Sequence, residues 1–284
     1  MLNNQQKALV IGGGGFAASS WSTGLIVGMA DAGVDVRDAD VLIGTSSGGR
    51  VALQLASGTP LEKIFEGQVN VAAHVARPSF GADWGKLQRD IAHAKELGGE
   101  RTEILKRIGA LALANAGPDR RALVSSQLPM QTWPDRLIRL IALNAETGVR
   151  RAFDRECGID LVDALMATTA FFGAAPIWFE GAPYIDGGFH SSDNADLAAG
   201  YPKALVLALK APPWALKLVS LEEGVADLRA TGSEVIVIQP DEEATEAMAS
   251  VGSLMDPAIC EPATRAGRAQ GHRVVQARGT TGWW

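Results

Sequence analysis

Cysteine is scarce: only Cys157 and Cys260 occur, and their spacing matches neither a disulfide framework nor a metal-finger pattern. Both are expected as free interior thiols. Positive charge is not in excess, since 26 Lys and Arg face 32 Asp and Glu for a formal net charge of −6. Binding to a phosphate backbone needs the opposite balance, so no nucleic-acid partner is expected. No apolar run reaches the roughly 18 residues of a spanning helix. The segment from Met1 to Lys7 lacks the cationic and long apolar regions of a secretion signal, which makes a cytoplasmic location the expectation. Of the four histidines, His74, His93 and His272 are scattered without ligand spacing, and no metal is expected.

What is present suits an enzyme-sized globular domain: 284 residues, 47% hydrophobic and 20% charged. There is no repeat or low-complexity linker, so residues 1–284 read as one domain. Ala8 to Ile11 is a short apolar run ending at Gly12 to Gly15, the pattern of a buried strand entering a tight loop. A helix capped at Ser19 or Ser20 and stopping at Gly33 is expected next. Val41 to Ile43 reads as a second strand and Val51 to Ala56 as a second helix. This alternation predicts a parallel sheet with right-handed crossovers. Residues 59–134 show helical spacing and read as a helical insertion or lid, in which Phe80, Trp84 and Trp133 are candidates for core packing or for lining a channel. Strands are predicted at 137–144, 204–209 and 235–238, helices at 161–169 and near 242–250, and residues 240–284 read as a C-terminal extension.

Chemistry concentrates in three places. Gly44-Thr45-Ser46-Ser47-Gly48 is a G-x-S-x-G sequence directly after a strand and before a helix, the setting of a nucleophile elbow. Ser46 is the candidate nucleophile, with Gly44 and Gly48 giving the turn its room. Gly13, Gly14 and Gly15 offer backbone N–H groups ahead of a helix, as an oxyanion requires. Tyr184-Ile185-Asp186-Gly187-Gly188 places an acid before two glycines, and an aspartate made basic by burial can serve as a general base.

Taken in order, these segments resemble the patatin-like phospholipase family from about Ala8 to Leu209. The glycine loop resembles its oxyanion loop, residues 44–48 its serine elbow, residues 144–148 and 160–170 the strand-turn and helix before its acid, and residues 184–188 its Asp-Gly-Gly motif. The resemblance implies a three-layer α/β/α sandwich with a mostly parallel sheet. It also implies a Ser46–Asp186 dyad that hydrolyses lipid or lysolipid esters without metal or cofactor, with a lipid or small ester as partner and transient contact with a membrane surface. Phe16-Ala17-Ala18 departs from the family, which has a basic residue just after the loop. Arg50, four residues past Ser46, is a candidate substitute.

Other readings stay open at this stage. Gly12-x-Gly14-x-x-Ala17 fits a loose dinucleotide fingerprint, with Asp31 or Asp35 as the ribose acid. His272 would complete a Ser–Asp–His order. A lipid-binding protein that keeps the fold without catalysis is the non-enzymatic alternative. His190, four residues after Asp186, is expected to face solvent, with tuning of Asp186 as its alternative. Trp283 and Trp284 are expected to pack or fray, with contact at a bilayer interface as the other choice.

Overall fold

The computed structural model describes residues 6–70, 84–171, 173–210, 218–251 and 253–284, without the side chains of Trp84 and Leu87. Its centre is an eight-stranded sheet in the order β5-β6-β3-β2-β1-β7-β8, with β4 paired to β3. The strands are β1 (Lys7–Ile11), β2 (Val41–Thr45), β3 (Leu137–Asn144), β4 (Arg150–Phe153), β5 (Ile177–Phe179), β6 (Ala182–Asp186), β7 (Lys203–Leu207) and β8 (Glu234–Ile238). Strands β3, β2, β1, β7 and β8 run parallel, while β4, β5 and β6 are antiparallel to their neighbours. The chain leaves β1 toward β2 on one side and later returns to pair β7 on the other. Strand order therefore reverses at β1, and open α/β sheets bind ligands beyond the carboxyl ends of their strands at such a point.

The helices, numbered among the described residues, are α1 (Gly15–Asp31), α2 (Ser47–Ala56), α3 (Leu61–Val69), α4 (Trp84–Glu96), α5 (Arg101–Ala114), α6 (Arg121–Ser126), α7 (Leu161–Thr168), α8 (Leu221–Ala230), α9 (Glu242–Ala249) and α10 (Cys260–Arg278). The period-two alternation of β1 separates the layers. Leu9 and Ile11 pack with Trp21, Leu25, Val51 and Ala263 from α1, α2 and α10. Ala8 and Val10 pack on the opposite face with Val225 and Leu228 of α8. A third cluster joins Ile91 of α4 and Ile108 of α5 to Leu143 and Ile185. The result is a helix–sheet–helix sandwich around a mostly parallel sheet.

Several local expectations are corrected. Helix α1 starts at Gly15, not at a Ser19 or Ser20 cap, because Gly14 turns the chain directly into the helix. Both serines are buried within it, Ser20 accepting a hydrogen bond from Gln68 Nε2 at 2.7 Å. Residues 260–278 form a long helix laid along α1. Added Cβ atoms at Gly24 and Gly28 would collide with the backbone at Thr264 and Arg268, and those at Gly267 and Gly271 with the backbone of α1. Four glycines thus let two helices touch backbone to backbone, and Trp21 Nε1 seals the contact by donating to Gln270 Oε1 at 2.7 Å. Trp283 is buried, and the Trp284 indole donates to Asp38 at 2.7 Å, so both rings pack on the chain. Trp133 lies against the main core and donates to the Ile159 carbonyl, whereas Phe80, His74 and the Trp84 side chain lie outside the described residues. No helix among the described residues is long and apolar enough to cross a membrane.

Candidate active site

Ser46 stands alone between the end of β2 and the start of α2, with φ 55° and ψ −126°. This backbone region strains a residue with a side chain by roughly 1–3 kcal/mol and persists only when its surroundings hold it. The Ser46 N–H donates to Thr168 Oγ1 at 2.9 Å, and the Thr168 hydroxyl donates onward to the Ile141 carbonyl at 2.6 Å. The Ser46 carbonyl accepts the Gly49 N–H at 3.0 Å. A side chain at Gly44 would collide with Gly49, and one at Gly48 with the Ile11 carbonyl, so the motif glycines let the turn close against β1. The first turn of α2 begins beside Ser46, and its dipole favours negative charge there.

Asp186 ends β6, opposite Ala142 of β3, and is 1% exposed. Its Oδ1 accepts the Gly188 N–H at 2.7 Å, while Oδ2 is buried without a formed hydrogen bond. Burial pushes the carboxyl up to about 7. The nearby Ser46 hydroxyl, the Gly188 N–H and the charge of Arg120 act in the opposite direction. Gly187 is required by proximity, since a Cβ there would lie 2.5 Å from the Ile141 carbonyl.

The glycine loop reaches the same spot. A Cβ on Gly13 would lie 2.7 Å from the Ser46 Cβ, so the absence of a side chain lets the loop abut the serine. The Gly13 N–H is itself engaged, donating to the Ser192 carbonyl at 2.7 Å, which narrows the expected donor set. Gly14 and Gly15 have φ 144° and 64°, and their N–H groups have no acceptor among the described residues. Leu254 and Met255 border this loop: the Leu254 carbonyl accepts the Ala17 N–H at 3.1 Å, and Met255 Sδ would collide with a side chain at Gly15.

A polar hub lies behind these residues. Asn194, fully buried at φ 51°, donates from Nδ2 to Thr45 Oγ1 at 3.0 Å and to the Ser191 and Gly187 carbonyls at 2.7 and 3.4 Å. Its Oδ1 accepts from Arg150, which is also paired with Asp196 through both guanidinium nitrogens. The residue before the nucleophile is thereby tied to the residue after the acid. Neither Asn194 nor Arg120 is predicted from sequence.

Other candidates fall elsewhere. His190 is buried at 9% exposure, contrary to the solvent-facing expectation, because the N–H groups of Leu218 and Val219 close over its carbonyl. Desolvation, aided by the Arg150 charge, lowers its pKa to about 4, and the other charges acting on it come from Asp196, Arg101 and Glu223. His272 lies 3.4 Å from Asp31, on the α1–α10 pair, which removes it from a triad with Ser46. Asp31 also binds Arg268, and Asp35 binds Arg37, so both ribose-acid candidates are held by arginines. Cys157 and Cys260 are free thiols, one half-buried and one buried. No cluster among the described residues has the side chains to hold a metal ion.

A strained serine at a helix start, a buried carboxyl and a glycine loop thus meet at the switch point of an α/β sheet. The chain belongs to the patatin-like phospholipase family, whose model matches residues 9–199. None of the curated protein sequences matches. A solved structure of the type III effector protein ExoU matches at TM-score 0.46 and 15% identity, over 96% of this chain and 53% of that one. Full-length SpcU in complex with full-length ExoU from Pseudomonas aeruginosa matches at TM-score 0.40 and 13% identity, over 94% and 53%. The chain spans about half the length of these solved chains.

Proposed function

We propose that the protein hydrolyses carboxylic esters of lipids or lysolipids through a Ser46–Asp186 dyad. The observation that carries this reading is the Ser46 backbone at φ 55°, ψ −126°, beside a carboxyl whose pKa burial raises to about 7. A free carboxylate near 4 is too weak a base to take a serine proton efficiently, and a value close to the working pH suits general-base catalysis. Ser46 Oγ attacks the ester carbonyl as Asp186 Oδ2 takes its proton. The tetrahedral oxyanion is received by the N–H groups of Gly14 and Gly15 and favoured by the start of α2. The C–O bond to the alcohol then breaks, with the proton passing from Asp186 to the leaving oxygen. Water, deprotonated by Asp186, cleaves the acyl-Ser46 ester and restores the enzyme. Each oxyanion donor is worth roughly 3–4 kcal/mol in such a step.

The test is intact-mass spectrometry after treatment with a fluorophosphonate. One adduct on the wild type and none on Ser46→Ala supports an activated serine. A folded wild-type protein that takes up lipid but forms no adduct would instead be a binding protein.

A further inference from the structure

The end of α7 makes three contacts in three successive residues. Thr168 Oγ1 accepts the Ser46 N–H at 2.9 Å, the Thr169 carbonyl accepts Arg120 Nη2 at 3.3 Å, and the Ala170 carbonyl accepts the Asp186 N–H at 3.1 Å. One short stretch of backbone therefore fixes the nucleophile, a guanidinium and the acid side by side. Arg120 comes from the segment just before α6, remote in sequence from both partners. That segment is pinned on either side: a side chain at Gly117 would collide with the Gly173 carbonyl, and Arg121 pairs with Asp160 and Asp163 at the start of α7.

We propose that Arg120 is a positioning residue for the dyad, a fixed positive charge that keeps Asp186 ionised and ready to accept the Ser46 proton. The inference rests on the dyad reading above. Burying a carboxylate favours its neutral form, and a nearby cation opposes this. Arg120 is the charged side chain that acts on Asp186 among the described residues, the other influences being the Ser46 hydroxyl and the Gly188 N–H. Arg120 is half-buried, and burial lowers its own pKa while the Asp186 and Asp119 charges oppose that shift. The glycine loop is followed by Phe16-Ala17-Ala18 and supplies no cation of its own. Arg120 brings one to Asp186.

The experiment compares wild type, Arg120→Gln and Arg120→Lys in the full chain by two readouts. The first is the pH profile of kcat/KM on a short-chain ester. The second is carboxyl carbon NMR titration of Asp186, its signal assigned by its loss in Asp186→Asn. Arg120→Gln is expected to raise both midpoints by about one pH unit, the low end of the shift that a nearby opposite charge produces. About a tenfold loss of kcat/KM follows on the acid side, with recovery at high pH, while Arg120→Lys stays near the wild-type midpoint. Should Arg120→Gln fail to fold, Arg120→Met takes its place. A uniform loss of rate with unmoved midpoints overturns the proposal and leaves Arg120 a structural residue. If no variant, wild type included, hydrolyses esters but the carboxyl midpoint still shifts, the dyad reading fails and the electrostatic assignment survives.

Discussion

Asp186 combines two burdens that are separable by pH. Its folded-state pKa lies near 7 against an ordinary carboxyl value near 4, and desolvation is the main cause. The folded state thus holds a proton that the unfolded chain releases between those values, and stability falls as pH rises through that window. Asp186→Asn is expected to melt above wild type at pH 8, with the difference shrinking toward pH 5, as calorimetry can measure. The same variant should lose at least about a hundredfold in kcat, the usual scale for a general base. Near-normal turnover in it would place the base elsewhere. In the wild type, kcat/KM should climb with pH to a plateau above about 7, because the base works only when ionised. A flat profile between pH 5 and 9 would contradict a titrating Asp186. Asn194→Ala removes the tie between Thr45 and Gly187, so kcat should fall more than KM rises, which steady-state kinetics on one ester resolves.

At the scale of elements, the strands were the most readable part of the sequence. Residues 8–11, 41–43 and 235–238 are unbroken apolar runs, and 137–144 is one interrupted only by Arg139 before its terminal Asn144, the composition of buried parallel strands. The elbow and the acid motif were equally plain, because their glycines sit where the turn and the neighbouring strand leave no room. Strand β4 and the β5–β6 hairpin were not readable: they are short, and Arg150, Arg151 and Pro183 dilute their pattern. Helix α10 escaped because glycine at 267 and 271 reads as loop composition until its partner is known. Gly24 and Gly28 on α1 answer them, and only the pair explains either. Arg120 escaped for a related reason, since a lone arginine in a charged helical segment acquires meaning only when Thr169 and Asp186 fold against it. Gly24→Ala tests the helix contact. Its Cβ would enter the Thr264 backbone, and overpacking of this kind costs typically 1–3 kcal/mol. Chemical denaturation should show that loss, and unchanged stability would mean the helices part easily.

For the whole molecule, the layout separates support from chemistry. The sheet presents the glycine loop, the elbow and the acid at one end, while α1, α2, α7 and α10 fill the face behind them. The proposed dyad would take its electrostatics from Arg120, the helix start and backbone N–H groups, so chelators are expected to leave the rate on a simple ester unchanged. A loss restored by added metal would contradict that chemistry.

The backbone contact between α1 and α10 also orders events in time. A ribosome emits the glycine loop, Ser46 and Asp186 well before it emits residues 260–278, so a nascent chain carries every reactive group while α1 still lacks its closest partner. The glycine loop that opens α1 is then anchored on one side only. Reactivity of Ser46 is then expected only once residues 260–278 have docked on α1, so chains arrested before Pro257 should resist fluorophosphonate labelling that chains extending past Arg278 accept.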